Sequence, residues 1–300
     1  MDTLCLTKES AYRRVRKRVP FSIDELQRIA DDMFWSIDEL MSDKQHHKVC
    51  FNLDICMDRS PQEIYKNMLE KSAGDIKNLL TLSNLKIYAV INRLPFVYFP
   101  FEYLFKLEYC MFLAQHNQLP FGSAYDEIHV PSEINKLKKD CCYHYRLLKN
   151  VTCVVDGNLF TYIIQVMRYF YQIRFLSKQN VAELKRELKE FFLFVEQLLR
   201  DWKSEYYKAY SIYYTPLNLE ANVIYYEWDD GKMTQLWIHE ECPIVIRDYQ
   251  LLQQWQKQWI ESKLKHSTLV TNASPILQNQ LLDTLCLSID AIDDLEKEGF

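Results

Sequence analysis

The sequence predicts a mainly α-helical protein with a small α+β element near residues 219–271. Glycine is scarce, with 5 residues, and proline is modest, with 9, a composition that disfavours turn-rich sheets. The 20 tyrosines and 16 phenylalanines supply bulk for packed helices, and 48% of the chain is hydrophobic. A third observation is a stripe of apolar side chains at helical spacing over residues 181–210. A chain of 300 residues with this composition is expected to bury more than one core.

The first predicted helix covers residues 8–17. Thr7 is a suitable cap, because its hydroxyl can accept a hydrogen bond from an amide of the first turn. Ala11, Tyr12 and Val15 recur at three- and four-residue spacing, so they are expected to pack inward while most charged side chains face solvent.

Two further serines, Ser22 and Ser36, precede the next predicted helices at residues 23–33 and 37–41.

Positive charge is concentrated at the start of the chain. Residues 1–20 hold six lysine or arginine residues and two acidic residues, a net charge of +4. The whole chain carries −5, so residues 21–300 carry −9. A cationic helix gains affinity for phosphate by releasing condensed counterions. The asymmetry therefore predicts a polyanionic partner.

Three segments follow one another here: TKESAYRRVRKR (residues 7–18), PFSIDEL (20–26) and SIDEL (36–40). Their order resembles the latter part of a Cro/XRE-type phage-repressor helix-turn-helix domain, which would make residues 1–42 a partial DNA-binding head. The resemblance implies that residues 8–17 are the recognition helix that reads the major groove. The N-terminal part of the motif is missing, so we expect either a true start upstream or a degenerate remnant. The glycine that usually follows this helix is replaced by Lys17-Arg18.

The resemblance also implies roles for individual side chains on duplex DNA. Phosphate contacts position a protein, and base contacts set its sequence preference. The residues implied to read base edges are Lys8, Glu9, Ser10 and Arg13. The residues implied to contact phosphate are Arg14, Arg16, Lys17 and Arg18.

After a predicted linker at residues 43–59, residues 60–215 are expected to form a helical body. Ser60 opens it with a cap that is followed by proline and an acid in the first turn. Helices are predicted over residues 61–79 and beyond, 101–115, 132–148, 158–176 and 181–210.

Residues 216–300 are expected to form a C-terminal α+β unit. Two β-forming runs, residues 221–228 and 232–239, flank an Asp-Gly turn and predict a hairpin. The remaining predicted elements are a strand at 243–247, a helix that is capped by Asp248 and runs through Leu264, a strand at 269–271 and a helix from residue 274.

The motifs of nucleotide-binding enzymes and hydrolases do not occur in the sequence. It contains no Gly-x-x-x-x-Gly-Lys-Ser/Thr, Gly-x-Gly-x-x-Gly or Gly-x-Ser-x-Gly, so neither an enzyme activity nor a cofactor is predicted. Two groups of metal-capable side chains lack the paired spacing of zinc sites, and no metal site is predicted. Residues 265–268 are interpreted as the end of a helix rather than as an anion site. The two metal-capable groups mentioned above are His46, His47, Cys50 and Cys56, and Cys141, Cys142 and His144.

The nine cysteines indicate a reducing compartment. Their number is odd, they are scattered, and no signal peptide precedes them, so a cytoplasmic location is predicted. Proline or charged residues interrupt the most apolar windows, residues 94–114 and 159–176, and no membrane partner is predicted.

These features favour a bacterial-type DNA-binding transcriptional regulator whose C-terminal body dimerises or senses a signal. A homodimer would pair two heads on two half-sites, and the signal would be a small molecule or a protein effector. The alternative is a helical interaction or ligand-binding protein whose degenerate head does not bind DNA.

Overall fold

The computed structural model describes residues 6–33, 59–93, 100–201, 210–220, 222–237, 243–247 and 249–296. The chain divides into two units, Met1–Leu53 and Asp54–Phe300.

In the first unit, helix α1 spans Lys8–Val15 and begins as predicted. The Ser10 amide donates to the Thr7 hydroxyl at 3.3 Å. The helix ends before residue 17, because Lys17 has a left-handed backbone with φ 58°. The Lys17 amide donates to the Arg14 carbonyl and the Arg18 amide to the Arg13 carbonyl, each at 2.9 Å. These two bonds form a Schellman C-cap, with lysine at the position that usually favours glycine.

Helix α2 spans Ile23–Met33 and is capped by Ser22, as predicted. The Glu25 amide donates to the Ser22 hydroxyl at 3.2 Å, and the Ser22 amide donates to the Glu25 carboxylate at 2.9 Å. This reciprocal pair is a capping box. The predicted cap Ser36 and the helix at residues 37–41 lie outside the described residues.

The predicted inner face of α1 is wrong for Tyr12 and Val15. The side chain of Tyr12 is 54% exposed and that of Val15 is 74% exposed. The less exposed side of α1 carries Ser10 and Arg14 together with Ala11, which was predicted to pack inward. Arg14 forms an ion pair with a residue of α2, and this pair decides which side of the helix is covered.

In the described part of the second unit, seven strands form one mixed sheet with the order β6-β5-β4-β1-β2-β3-β7. The neighbours β1, β2 and β3 run parallel, and the other pairs are antiparallel. The strands are β1 Lys86–Ile91, β2 Val151–Val155, β3 Tyr210–Tyr214, β4 Val223–Trp228, β5 Gly231–Trp237, β6 Pro243–Arg247 and β7 Thr268–Leu269.

The helices of this unit connect and cover the strands. They are α3 Pro61–Leu80, α4 Glu102–Gln115, α5 Ser132–Tyr145, α6 Thr161–Gln172, α7 Lys178–Arg200, α8 Gln250–Lys265 and α9 Pro275–Asp290, with short 3-10 helices at Tyr125–Glu127 and Ala291–Glu296.

The prediction of a mainly α fold with a small hairpin element near residues 219–271 is wrong, because the sheet makes this unit an α/β structure. The hairpin itself is confirmed as β4 and β5. Strands β1, β2 and β3 are not among the predicted elements. A short apolar run such as Lys86–Ile91 cannot be told from a buried helix segment by its periodicity. The helix predicted over residues 181–210 ends at Arg200, and Tyr210 begins a strand.

The handedness of the connections between the parallel strands explains which face of the sheet each helix covers. The connection from β1 to β2 contains α4 and α5, the connection from β2 to β3 contains α6 and α7, and both move in the same direction along the sheet. Right-handed connections then place these helices on one face, where they share a core with α3 and α9. On the opposite face, Val90, Val154 and Tyr225 pack against Ile260 of α8.

The N-terminus of helix α4 is capped by a side chain of another helix, and its own N-cap residue, Phe101, makes no side-chain cap bond. The carboxylate of Glu187 on α7 accepts hydrogen bonds from the amides of Tyr103 at 3.2 Å and Leu104 at 2.8 Å. Lys138 on α5 donates to the Phe101 carbonyl at 2.8 Å. Glu187 is only 4% exposed, so burial raises the pKa of its carboxyl group although the amide bonds lower it.

We predict a specific pH dependence for Glu187→Gln. Because the folded state holds the Glu187 proton to a higher pH than the unfolded state, this group loses stabilisation as pH rises from the ordinary glutamate range through the raised pKa. The glutamine variant should lack that loss. The substitution should also lower the free energy of unfolding by about 1 kcal/mol at low pH, because one hydrogen bond is lost. Urea unfolding of both proteins at several pH values measures this, with the more exposed Glu183→Gln as control. Parallel pH curves for wild type and Glu187→Gln would refute the assignment.

Candidate DNA interface and ligand cavity

The residues implied to read DNA bases lie on α1. Lys8, Glu9 and Arg13 are exposed, and Ser10 is half-buried. Arg13 pairs with Glu9, one turn away, at 2.8 Å. An exposed pair of this kind contributes little to stability, so Arg13 can exchange Glu9 for another partner.

Arg14 differs from the other predicted phosphate contacts, because its guanidinium is engaged within the unit. It pairs with Glu25 of α2 through two contacts, Nε to Oε2 at 2.9 Å and Nη2 to Oε1 at 2.7 Å. It also donates to the Ser10 hydroxyl at 2.7 Å. A bidentate pair fixes direction as well as distance. Arg14 therefore joins α1 to α2 and orients the exposed cations of α1.

The remaining predicted phosphate contacts lie at the C-terminal end of α1. Arg16, Lys17 and Arg18 are exposed. The guanidinium carbon of Arg16 lies 4.2 Å from the centre of the Tyr12 ring. The left-handed backbone at Lys17 turns the chain directly after the helix, so the three cations follow one another around its end.

The second unit contains a cavity of about 340 Å³ between the helical layer and the sheet. Its floor is formed by alternate residues of the central strands, and its roof by α5, α7 and the segment before α4. The floor residues are Ile87, Ala89, Ile91, Val151, Cys153, Val155, Tyr210, Ile212, Ile224 and Tyr226. The other lining residues are Pro100, Phe101, Cys142, Tyr145, Arg146, Leu148, Leu159, Phe191, Phe194, Val195, Leu198 and Leu281.

The cavity lining is mostly apolar. Burial raises the pKa of the Cys153 thiol and of the Tyr145 phenol to about 12 each, so both groups are neutral at physiological pH. The Tyr226 hydroxyl donates to the Gln235 side chain at 2.9 Å. Among the described residues that line the cavity, Arg146 is the only charged one. These surroundings suit the binding of an apolar molecule.

The sequence contains one signal for the floor of this cavity. Ile87, Ala89 and Ile91 alternate along β1, and Val151, Cys153 and Val155 alternate along β2. Such alternation places all six on one face of the sheet. Only the fold, however, shows that the helices leave space above them.

A polar cluster at the carboxyl ends of the parallel strands serves the structure. Asp156 is buried, and its carboxylate accepts from the Asn158 amide at 2.9 Å and the Leu219 amide at 2.8 Å. The Asn92 side chain donates to the Leu219 carbonyl at 2.8 Å. These bonds tie together the loops that follow the strands.

The metal-capable groups of the sequence do not form a site in the described part of the chain. The Cys141 thiol donates to the Leu69 carbonyl at 3.5 Å, and His144 Nδ1 lies 2.7 Å from the Asp140 carbonyl. The described residues contain no cluster of three metal-ligating side chains. His46, His47, Cys50 and Cys56 lie outside the described residues. His266 caps the end of α8, which confirms the interpretation of residues 265–268.

Comparisons with protein-family models, with curated proteins and with solved structures find no match. None of the described helices has the length and apolar character needed to cross a membrane.

We predict that Glu25→Gln removes an acid-sensitive step from the first unit. The hydrogen bond from Arg14 lowers the pKa of Glu25, so the folded state binds this proton at a lower pH than the unfolded state. The stabilisation is therefore present at neutral pH and lost as pH falls through the lowered pKa. Hydrogen exchange of residues 8–33 in the full chain, corrected for intrinsic rates, should show less protection in the variant at pH 7 and a smaller difference in acid.

Asp24→Asn is the matched control, because Asp24 is an exposed acid directly beside Glu25. Equal protection of wild type and Glu25→Gln at pH 7 would contradict the structural role of the Arg14–Glu25 pair.

Proposed function

We propose that this chain is a DNA-binding transcriptional regulator whose first unit contacts duplex DNA through α1 and whose second unit binds a small apolar molecule. The observation that carries the proposal is the exposed cation array on α1 and its C-terminal turn. Its members are Lys8, Arg13, Arg16, Lys17 and Arg18.

The array suits a duplex because it is carried by a helix. The major groove admits an α-helix, and side chains from its N-terminal part reach base edges while flanking cations contact phosphate. Lys8 and Arg13 lie within α1, and Lys17 and Arg18 lie beyond its end. The resemblance to repressor heads supports the same arrangement.

The Arg14–Glu25 pair supports the proposal by fixing α1 on α2. A helix that reads a groove must hold its orientation while its outer side chains exchange water for phosphate. The pair has the geometry for that task, because both oxygens of Glu25 are engaged by one guanidinium.

The cavity favours a sensing role for the second unit. All of its lining residues lie within Asp54–Phe300. An apolar cavity of this size is in the range of small-molecule sites, which span roughly 300–1,000 Å³. The second candidate function, a ligand-binding protein without DNA affinity, rests on the same cavity. Pairing of two chains on two half-sites stays a prediction.

We predict salt-dependent binding to duplex DNA. Fluorescence anisotropy with a random-sequence duplex should give an affinity that falls linearly in a plot of log K against log salt. Arg16→Ala and Lys17→Ala should each reduce the slope by about 0.9 if each contacts one phosphate. Arg13→Ala should instead weaken preference among sites selected from a random library, by about 1 to 3 kcal/mol for a guanine contact.

Lys149→Ala is the matched control, because Lys149 is an exposed cation of the second unit. The slope of log K against log salt for Lys149→Ala should equal that of the wild type. No binding at low salt, or an equal loss for the control, would favour the ligand-binding candidate.

A further inference from the structure

We infer that the cavity binds a largely apolar molecule with one anionic group, and that Arg146 pairs with this group. The inference rests on the proposed ligand-binding role of the second unit and adds the chemical class and the orientation of the ligand.

Arg146 is available for such a pair. It directly follows α5 as its C-terminal cap residue, lines the cavity and is exposed. Its side chain makes no hydrogen bond or ion pair with any described residue, in contrast to Arg14, Arg186, Arg200 and Arg247. No aspartate or glutamate is among the described lining residues, so no lining carboxylate neutralises it.

The exposed residues of the lining show where the cavity opens. Pro100, Arg146 and Phe194 are exposed, whereas the floor residues Ile87, Ala89 and Ile224 are buried. A ligand can therefore place its apolar part over the strands and its charged end at the opening. The guanidinium there remains partly hydrated, which lowers the desolvation cost of forming the pair.

The lining excludes other ligand classes. A sugar or nucleotide would bring several hydroxyl groups into a space whose polar atoms are few, and unpaired buried polar groups are costly. A cationic amphiphile would meet Arg146 with no acid among the described lining residues to pair with. A single anionic group matches Arg146, the one cation among the described lining residues, and the planar guanidinium can donate two parallel hydrogen bonds to a carboxylate.

The C-terminal end of α5 affects the charge that an anionic ligand meets beside Arg146. The carbonyl end of a helix carries partial negative charge, which disfavours an anion close to it. Arg146 supplies the full positive charge that outweighs this effect. Without Arg146, an anionic ligand should lose its advantage over a neutral one of the same length.

The test is calorimetric titration of the full chain with decanoate, 1-decanol and decylamine, which share one alkyl chain and differ in the head group. Wild type should bind decanoate about tenfold more tightly than decanol, the range of one charge-assisted hydrogen bond. Decylamine should bind more weakly than decanol. In Arg146→Gln, decanoate should bind no more tightly than decanol.

Two matched variants complete the design. Arg146→Lys keeps the charge and should keep the order of the three ligands. Lys149→Gln removes an exposed charge close in sequence that does not line the cavity, and it should behave as wild type. All substitutions are at exposed positions, and circular dichroism checks that each variant is folded.

Each outcome has one meaning. Equal affinity of wild type for decanoate and decanol would overturn the charged-ligand inference while leaving a ligand-binding cavity. Preferential decanoate binding that persists in Arg146→Gln would overturn the role of Arg146. Failure of all three compounds to bind would overturn this inference along with the proposed ligand-binding role, and DNA binding would still be judged separately by its salt dependence.

Discussion

The handedness of the parallel connections is the constraint on which the second unit depends. Since β1, β2 and β3 follow one another in the same direction along the sheet, their right-handed connections bring α4, α5, α6 and α7 to one face. The opposite face is left to α8. On the face that carries these four helices, buried polar contacts fix helix ends, as Glu187 does at the start of α4. The cavity lies on the same face, between α5, α7 and the strands. The cavity is thus a consequence of how the chain must cross the sheet.

Local signals in the sequence predict helix starts and the hairpin well, because the atoms that decide them are close together in the chain. Each of the cap hydroxyls, on Thr7, Ser22 and Ser60, accepts a hydrogen bond from the backbone amide three residues later. The Asp-Gly turn joins β4 to β5. The parallel strands are a different matter. Their partners lie far away in sequence, as Ile87 and Val151 do, and both faces are covered, so alternation is weak. The cavity and the position of Arg146 at its opening follow from that non-local packing and were not predictable from sequence.

In the first unit, too, the local features are predicted from the sequence and the non-local contact is not. The sequence locates the basic helix, but treating every charge as a surface charge hides the role of Arg14, whose partner is eleven residues away. The pair with Glu25 turns α1 so that Tyr12 and Val15 are exposed and Arg16, Lys17 and Arg18 remain available. Lysine in the left-handed position after α1 keeps a cation where a glycine would relieve the backbone. In the proposed function, that cation contacts phosphate.

The central claim is that the cavity of the second unit senses a molecule and that the first unit reports it through DNA affinity. The most direct test measures DNA binding by anisotropy with the cavity empty and with it saturated by decanoate, with occupancy verified by calorimetry in the same buffer. Coupled sites change each other's affinity by about fivefold or more, and the effect is reciprocal. The account predicts such a change in wild type, with bound DNA altering decanoate affinity by the same factor. Identical DNA affinity at full occupancy would contradict it.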